Sequence, residues 1–375
     1  MATLDFAFWD SIQHTSTGAA IADEYDAHIR QAQRVEALGW LAYFVIEHQN
    51  GAMGTTAPSV FLTAVARETS RLRIGAMMWQ LPFYNPLRLA QEVAMLDQLS
   101  RGRVEFGTGI GVHEHEFIRW GMDYYQRAAI SEEVLQVVKM AWTADEVTFD
   151  GKYFHFDEAL PYPKPFQQPH PPIWAAVHSD ASVEFAARNN YHVAKNLDTD
   201  DVVAGKFELY RKIWGESGHA GPRPRIFLMR TVHVAPTDKQ AHDEARQFFA
   251  AGAERVGGGP IAQTRIGWGS HSRGMGRDSE RADNKARGQT MAAAAHSYEF
   301  NIDNGLALVG SPETVIRRLQ EGQQRMGYDL FCTNHQIGRM PPDLVAQSVE
   351  LFGKEVIPAF AGSGERERRI PVRQA

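Results

Sequence analysis

One apolar run, Pro172-Ile-Trp-Ala-Ala-Val177, leads directly into His178, Ser179 and, three residues on, Ser182. The run reads as a buried strand and the serines as the first turn of the following helix. A helix start leaves backbone N–H groups unpaired and carries about half a positive charge. With two hydroxyls added, it suits a phosphate. The junction comes after four earlier strand–helix units. Dinucleotide folds place their phosphate loop in the first unit, whereas barrels place theirs late.

Other side chains that could do chemistry also follow strand-like runs. Glu47-His48-Gln49-Asn50 follows the second, and His48 could act there as a general base or steady a developing anion. It could equally be a structural hydrogen-bond partner. Gly107-Thr-Gly-Ile-Gly111 follows the fourth run; it fits close approach of backbone to a flat or phosphorylated group, or a tight turn. His113-Glu-His-Glu116 lacks the His-Glu-x-x-His spacing of a zinc site, and no metal is expected. No Gly-x-Ser-x-Gly elbow is present for a serine hydrolase.

These residues must be held by alternating strands and helices. Strands are predicted at 4–9, 41–46, 72–79, 104–108, 172–177, 192–196, 226–234 and 328–333. Helices are predicted at 21–38, 58–68, 86–99, 130–142, 201–216, 238–252 and 342–357. Continuous apolar strands such as Leu41–Ile46 are those of a parallel sheet covered on both faces. Eight such units predict an α/β fold, a (β/α)8 TIM barrel, with its site at the carboxyl ends of the strands. Residues 144–171 interrupt the alternation; Val147–Phe156 reads as a hairpin with an Asp-Gly turn. Residues 255–290 are rich in glycine and arginine and read as a lid loop after strand 7 or a disordered insertion. Residues 361–375 read as a frayed tail, leaving a single domain over 1–360.

Composition agrees. The 375 residues are 43% hydrophobic and 22% charged, an ordinary soluble balance. A net charge of -6 argues against a nucleic-acid partner. The single cysteine, Cys332, allows no internal disulfide. No signal peptide or membrane span is read, so a cytoplasmic protein without a membrane partner is expected.

Several longer stretches resemble the bacterial luciferase-like flavin monooxygenases, with the alkanal-oxidising subunits nearest. They are Gly39-Trp40 with Ile46-Glu-His48, Ile74–Pro82, Pro86–Gly109, Ser297–Asn301, Val309–Glu313 and Val356–Pro358. The resemblance runs from residue 3 to about residue 360. It implies a TIM barrel that binds reduced FMN supplied by a separate flavin reductase. It also implies reaction with dioxygen through a flavin hydroperoxide and oxidation of a small organic substrate, either an aldehyde or ketone or one that takes oxygen at a soft atom. His48 matches the family's catalytic histidine. Met77 and Met78 match a non-prolyl cis peptide against which the flavin ring packs. Ser179 and Ser182 match phosphate ligands, with His178 beside them, and Arg127 matches a phosphate-binding arginine. Residues 255–290 match the mobile lid, and a homodimer is implied.

The chain departs from the luciferases at three positions. Ile110 replaces a phosphate-binding arginine, Gly109 replaces a reactive cysteine near the flavin, and Gln49 replaces a second histidine. Met77, Met78, Trp79, Phe6 and Phe8 are expected to line an apolar wall. The alternatives are a deazaflavin-dependent hydride-transfer enzyme on the same barrel and a non-catalytic flavin-binding protein.

Overall fold

A computed structural model describes residues 3–14, 18, 20–49, 54–252 and 282–361. Its strands are β1 (Asp5–Asp10), β2 (Ala42–Val45), β3 (Arg73–Ala76), β4 (Trp79–Gln80), β5 (Phe106–Gly109), β6 (Val147–Asp150), β7 (His155–Ala159), β8 (Ile173–Ala176), β9 (His192–Lys195), β10 (Ile226–Val234), β11 (Ala307–Gly310) and β12 (Leu330–Asn334). The main sheet runs β3-β2-β1-β12-β10-β9-β8-β5-β4, with β11 added beside β10. Helices alternate with these strands, as the (β/α)8 reading expects. Contacts divide the chain into two compact units. One comprises residues 1–11, 34–43 and 175–366; the other comprises 12–33, 44–174 and 367–375.

In the first unit β1, β12, β10 and β9 pair in parallel, with Phe6 beside Phe331, Phe331 beside Leu228 and Leu228 beside Lys195. Strand β10 is long enough to serve three neighbours, with Ile226–Leu228 paired to β9. Phe227–Thr231 pairs with β12, and Thr231–Val234 pairs with β11. The unit formed by β11 and the helix Pro312–Met326 is absent from the predicted elements. Its start is well marked: Ser311 caps the helix by accepting from Thr314 N, and Pro312 occupies the first turn. Phe6 and Phe8, expected on the same apolar wall as the methionines, find their ring partners within the first unit. Phe6 packs edge-on against Phe352 and Phe360 at 5.3 and 5.4 Å, and Phe8 stacks on Tyr43 and His335. Both serve the layer between the sheet and the C-terminal helices, because their strand has apolar residues on both faces.

In the second unit the predicted third strand is two pieces, β3 and β4, separated by a cis peptide between Met77 and Met78. Strand β4 pairs in parallel with β5, and Ile74 bridges Val104. Helix Pro58–Glu68 has the predicted bounds, with Pro58 in its first turn. Helix Pro86–Ser100 is capped by Asn85, whose side chain accepts from Arg88 N at 3.2 Å. Beneath the strands lies a buried ion pair of Arg73 with Glu105; Glu105 also accepts from Trp174 Nε1 at 2.6 Å. The predicted hairpin is the antiparallel pair β6–β7.

The lid expected at 255–290 falls mostly outside the described residues. Its last part does not: Ala282–His296 is helix, so the loop reading fails from Ala282 onward. The expected tail also lies outside the described residues beyond Ala361.

Candidate active site

The peptide after β2 turns His48 toward the short helix Glu114–Arg119, which presents Glu116. His48 Nδ1 lies 2.9 Å from Glu116 Oε1, and Glu116 is fully buried. A carboxylate only accepts, so Nδ1 carries the hydrogen and Nε2 is the ring's acceptor when neutral. Glu116 also accepts from Gln80 Nε2 at 3.0 Å and from Gln49 N at 3.3 Å. Burial alone would raise its pKa. The hydrogen bond and charge of His48, with the Gln80 and Gln49 donors, outweigh burial and hold it below the usual carboxylate range.

Glu47, the next residue back, behaves oppositely. It is 2% exposed, accepts from Gln80 N at 2.8 Å and from Gln49 Nε2 at 2.9 Å, and feels the charge of Glu116. Burial dominates and pushes its pKa up to about 8, despite the lowering effect of its donors, including Tyr84. One buried carboxyl is thus ionised at neutral pH while its neighbour is protonated, a division typical of sites that handle protons.

His113 stacks obliquely near His48, with ring centres 5.1 Å apart. His48, His113 and Glu116 offer ligand atoms within 4.8 Å of one another and could hold a metal ion. What holds Glu116 in this structure is its three N–H donors.

Met77 and Met78 lie against the start of β5, where glycines let two backbones approach. A Cβ on Gly107 would strike the Ala76 carbonyl oxygen and come within 2.8 Å of both methionine sulfurs. One on Gly109 would lie 3.0 Å from Met78 Cβ. His48, Met77, Met78 and Gly109 therefore share one unit. Arg127, in the same unit, is turned onto Tyr124: its guanidinium lies 3.7 Å from the ring centre and donates to the Tyr124 carbonyl at 2.9 Å.

The serine junction belongs to the other unit. Ser179 caps the helix Asp180–Arg188 by accepting from Ser182 N at 3.3 Å, and Ser182 Oγ accepts from the backbone N–H groups of His178 and Ser179, each at 3.0 Å. The two hydroxyls and three of the expected unpaired donors therefore satisfy one another in a capping box. Asp180, in the first turn, pairs with Lys206 at 2.6 Å. His178 Nδ1 is buried and has no hydrogen-bond partner among the described residues. Burial, reinforced by the charges of Arg287, Lys195 and Lys206, pushes its pKa well below the histidine range, so it is neutral.

The sequence reading assigned no role to Glu116, Glu47, Gln80 or Arg287. Glu47 and Gln80 carried one signal, their place directly after strands. Glu116 stood only in the His113-Glu-His-Glu116 cluster weighed for zinc, and nothing there pointed to His48, 68 residues away.

The model of the luciferase-like monooxygenases matches residues 4–330 of the chain. The chain belongs to that family. As a luciferase-like monooxygenase it is an oxidoreductase. Among its relatives is the oxygenase component of a flavin-dependent trigonelline monooxygenase from Acinetobacter baylyi, 28% identical over 93% of each chain. The oxygenating constituent of 3,6-diketocamphane monooxygenase from Pseudomonas putida, a type II Baeyer-Villiger enzyme solved with FMN, has the same fold. Its TM-score is 0.74 at 22% identity, covering 95% of this chain and 98% of that one. An F420-dependent secondary alcohol dehydrogenase shares the fold too, with TM-score 0.71, 19% identity and coverage of 96% and 100%. Fold alone therefore does not choose between flavin and deazaflavin. Among the described residues no helix is long and apolar enough to cross a membrane.

Proposed function

We propose that this luciferase-like monooxygenase is the oxygenase of a two-component system. It takes reduced FMN from a separate flavin reductase and uses dioxygen to oxidise a small organic substrate, with an aldehyde or ketone as the first class to try. The observation that carries the reading is the buried His48–Glu116 pair at 2.9 Å, beside Glu47, whose burial raises its pKa.

The residues suit a phosphate-bearing flavin. Gly109 leaves the backbone bare beside Met78, and His178 Nδ1 is a buried polar atom lacking a partner next to the Ser179 helix start. In this reading Met77, Met78 and Gly109 pack against the ring system, and Ser179, Ser182, His178 and Arg127 hold the phosphate. Reduced FMN, when bound, supplies the electrons and the atom at which dioxygen is activated. The protein's part is positioning and proton handling. His48 Nε2, the ring nitrogen not held by Glu116, would take or return a proton. Glu116 fixes the ring's tautomer and stabilises its charged form. Apolar side chains such as Met77 and Trp79 keep water away. The enzyme works in the cytoplasm as a homodimer.

His48→Ala tests the reading with photoreduced FMN, an aldehyde or ketone panel and product detection by mass spectrometry. Oxidation should slow by roughly 10²–10⁴-fold, while the Kd for reduced FMN stays within a factor of about two. Unchanged turnover removes His48 from the chemistry. Titration of the wild type with F420 beside FMN tests the deazaflavin alternative; tight F420 binding with no FMN binding refutes the proposal.

A further inference from the structure

The Ser179 helix start is under-supplied with positive charge for a phosphate. Its hydroxyls bond to its own backbone, and Asp180 places an acid in its first turn. Lys206 is engaged by Asp180, and Lys195 is bonded to Asp198. Ile110 stands where the luciferases resembled above carry an arginine.

Arg287 is differently placed. It sits on the helix Ala282–His296, and its Nε is buried and has no hydrogen-bond partner among the described residues. It lies near enough to His178 and Lys195 for its charge to act on both. The acid that acts on Arg287 itself is Asp198, whose carboxylate is already held by Lys195. Burial therefore weighs against its charge with little return. Beside it, His178 Nδ1 is buried and equally unpartnered. Two orphaned polar atoms, an incompletely neutralised guanidinium and a helix start together describe an oxyanion seat.

We propose that Arg287 supplies the missing guanidinium of a phosphate seat at the Ser179–Ser182 helix start, taking the phosphate monoester of the flavin. The assignment rests on the flavin reading above and adds a phosphate ligand from a segment for which the resemblance implied only a lid. Arginine suits the task because its fork of donors can hold two phosphate oxygens at once. Neutral His178 donates to the same phosphate in the tautomer that carries its hydrogen on Nδ1.

The test compares wild type, Arg287→Gln and Arg287→Lys. Anaerobic titrations measure the Kd of reduced FMN and reduced riboflavin, and thermal melts at constant ionic strength measure stabilisation by inorganic phosphate. Arg287→Gln should weaken FMN by about ten- to a hundredfold and riboflavin by less than about twofold. Arg287→Lys should recover part of the loss, and the phosphate-induced rise in Tm should vanish in Arg287→Gln. Because Arg287 lacks a firm acid partner, Arg287→Gln should melt no earlier than wild type without ligand. Equal losses for FMN and riboflavin, or FMN affinity unchanged, would overturn the assignment. If the wild type binds neither flavin yet shows an Arg287-dependent phosphate shift, the flavin reading falls while the oxyanion seat stands. No phosphate shift together with no flavin binding removes both.

Discussion

Glu47→Gln isolates the protonated carboxyl. Glu47 is 2% exposed, and burial lifts it from 4.5 to about 8. At about 1.36 kcal/mol per unit, the gap of 8 minus 4.5 corresponds to roughly 5 kcal/mol, an upper figure for a buried group coupled to Glu116. The sign follows from proton uptake. Between pH 4.5 and 8 the folded state keeps the Glu47 proton and the unfolded chain has lost it. Stability therefore falls as pH rises through that window, and levels off above it. Glutamine has nearly the same shape and no proton to lose. It must also place an NH2 where Glu47 Oε1 or Oε2 accepts from Gln49 Nε2 or Gln80 N, so it should cost some stability at every pH. The readout is thus the slope and not the absolute value. Urea unfolding at intervals from pH 5 to 9 should show the variant losing several kcal/mol less than wild type over the range. Parallel curves for the two proteins would mean that Glu47 titrates as an ordinary carboxyl, and the division of labour between the two acids would be refuted.

Two further outcomes follow from the same region. Glu116→Gln keeps an acceptor for His48 Nδ1 but removes the charge, so turnover should drop by about ten- to a hundredfold with FMN affinity unchanged; kcat measured at saturating flavin checks this, and full activity would dismiss Glu116 as a positioning residue. Gly107→Ala drives a methyl into the Ala76 carbonyl and the two methionine sulfurs. It should destabilise by about 1–3 kcal/mol or more, seen as a lowered Tm, whereas a wild-type melt would show that the two strands separate easily.

Elements with local signals were legible in the chain. Pro58 and Pro86 mark helix starts, and the Asp150-Gly151 turn marks the hairpin. The β11 unit is marked only at its helix, by Ser311 and Pro312; its strand, Ala307–Gly310, is four residues long and too short to stand out as an apolar run. The break between β3 and β4 is invisible in an unbroken apolar run; only the resemblance placed a cis peptide at Met77–Met78. Face could not be read for Phe6 and Phe8, since in a strand covered on both sides alternation disappears. The site was half legible. His48 stood out by its place after a strand, but Glu116 and Arg287 reach their partners through tertiary structure, without local pattern. The serines were located correctly, yet their hydroxyls turn inward, since short polar side chains at a helix start compete for its own donors.

The closed ring of bonds between Ser179 and Ser182 has a consequence for traffic between proteins. A cradle that completes itself when vacant suffers little from being empty, so whatever settles there must displace bonds already made. Capture is thereby weakened and departure eased. Under the two-component proposal, in which the cofactor is borrowed from another enzyme and handed back spent after every cycle, a loose grip is an asset.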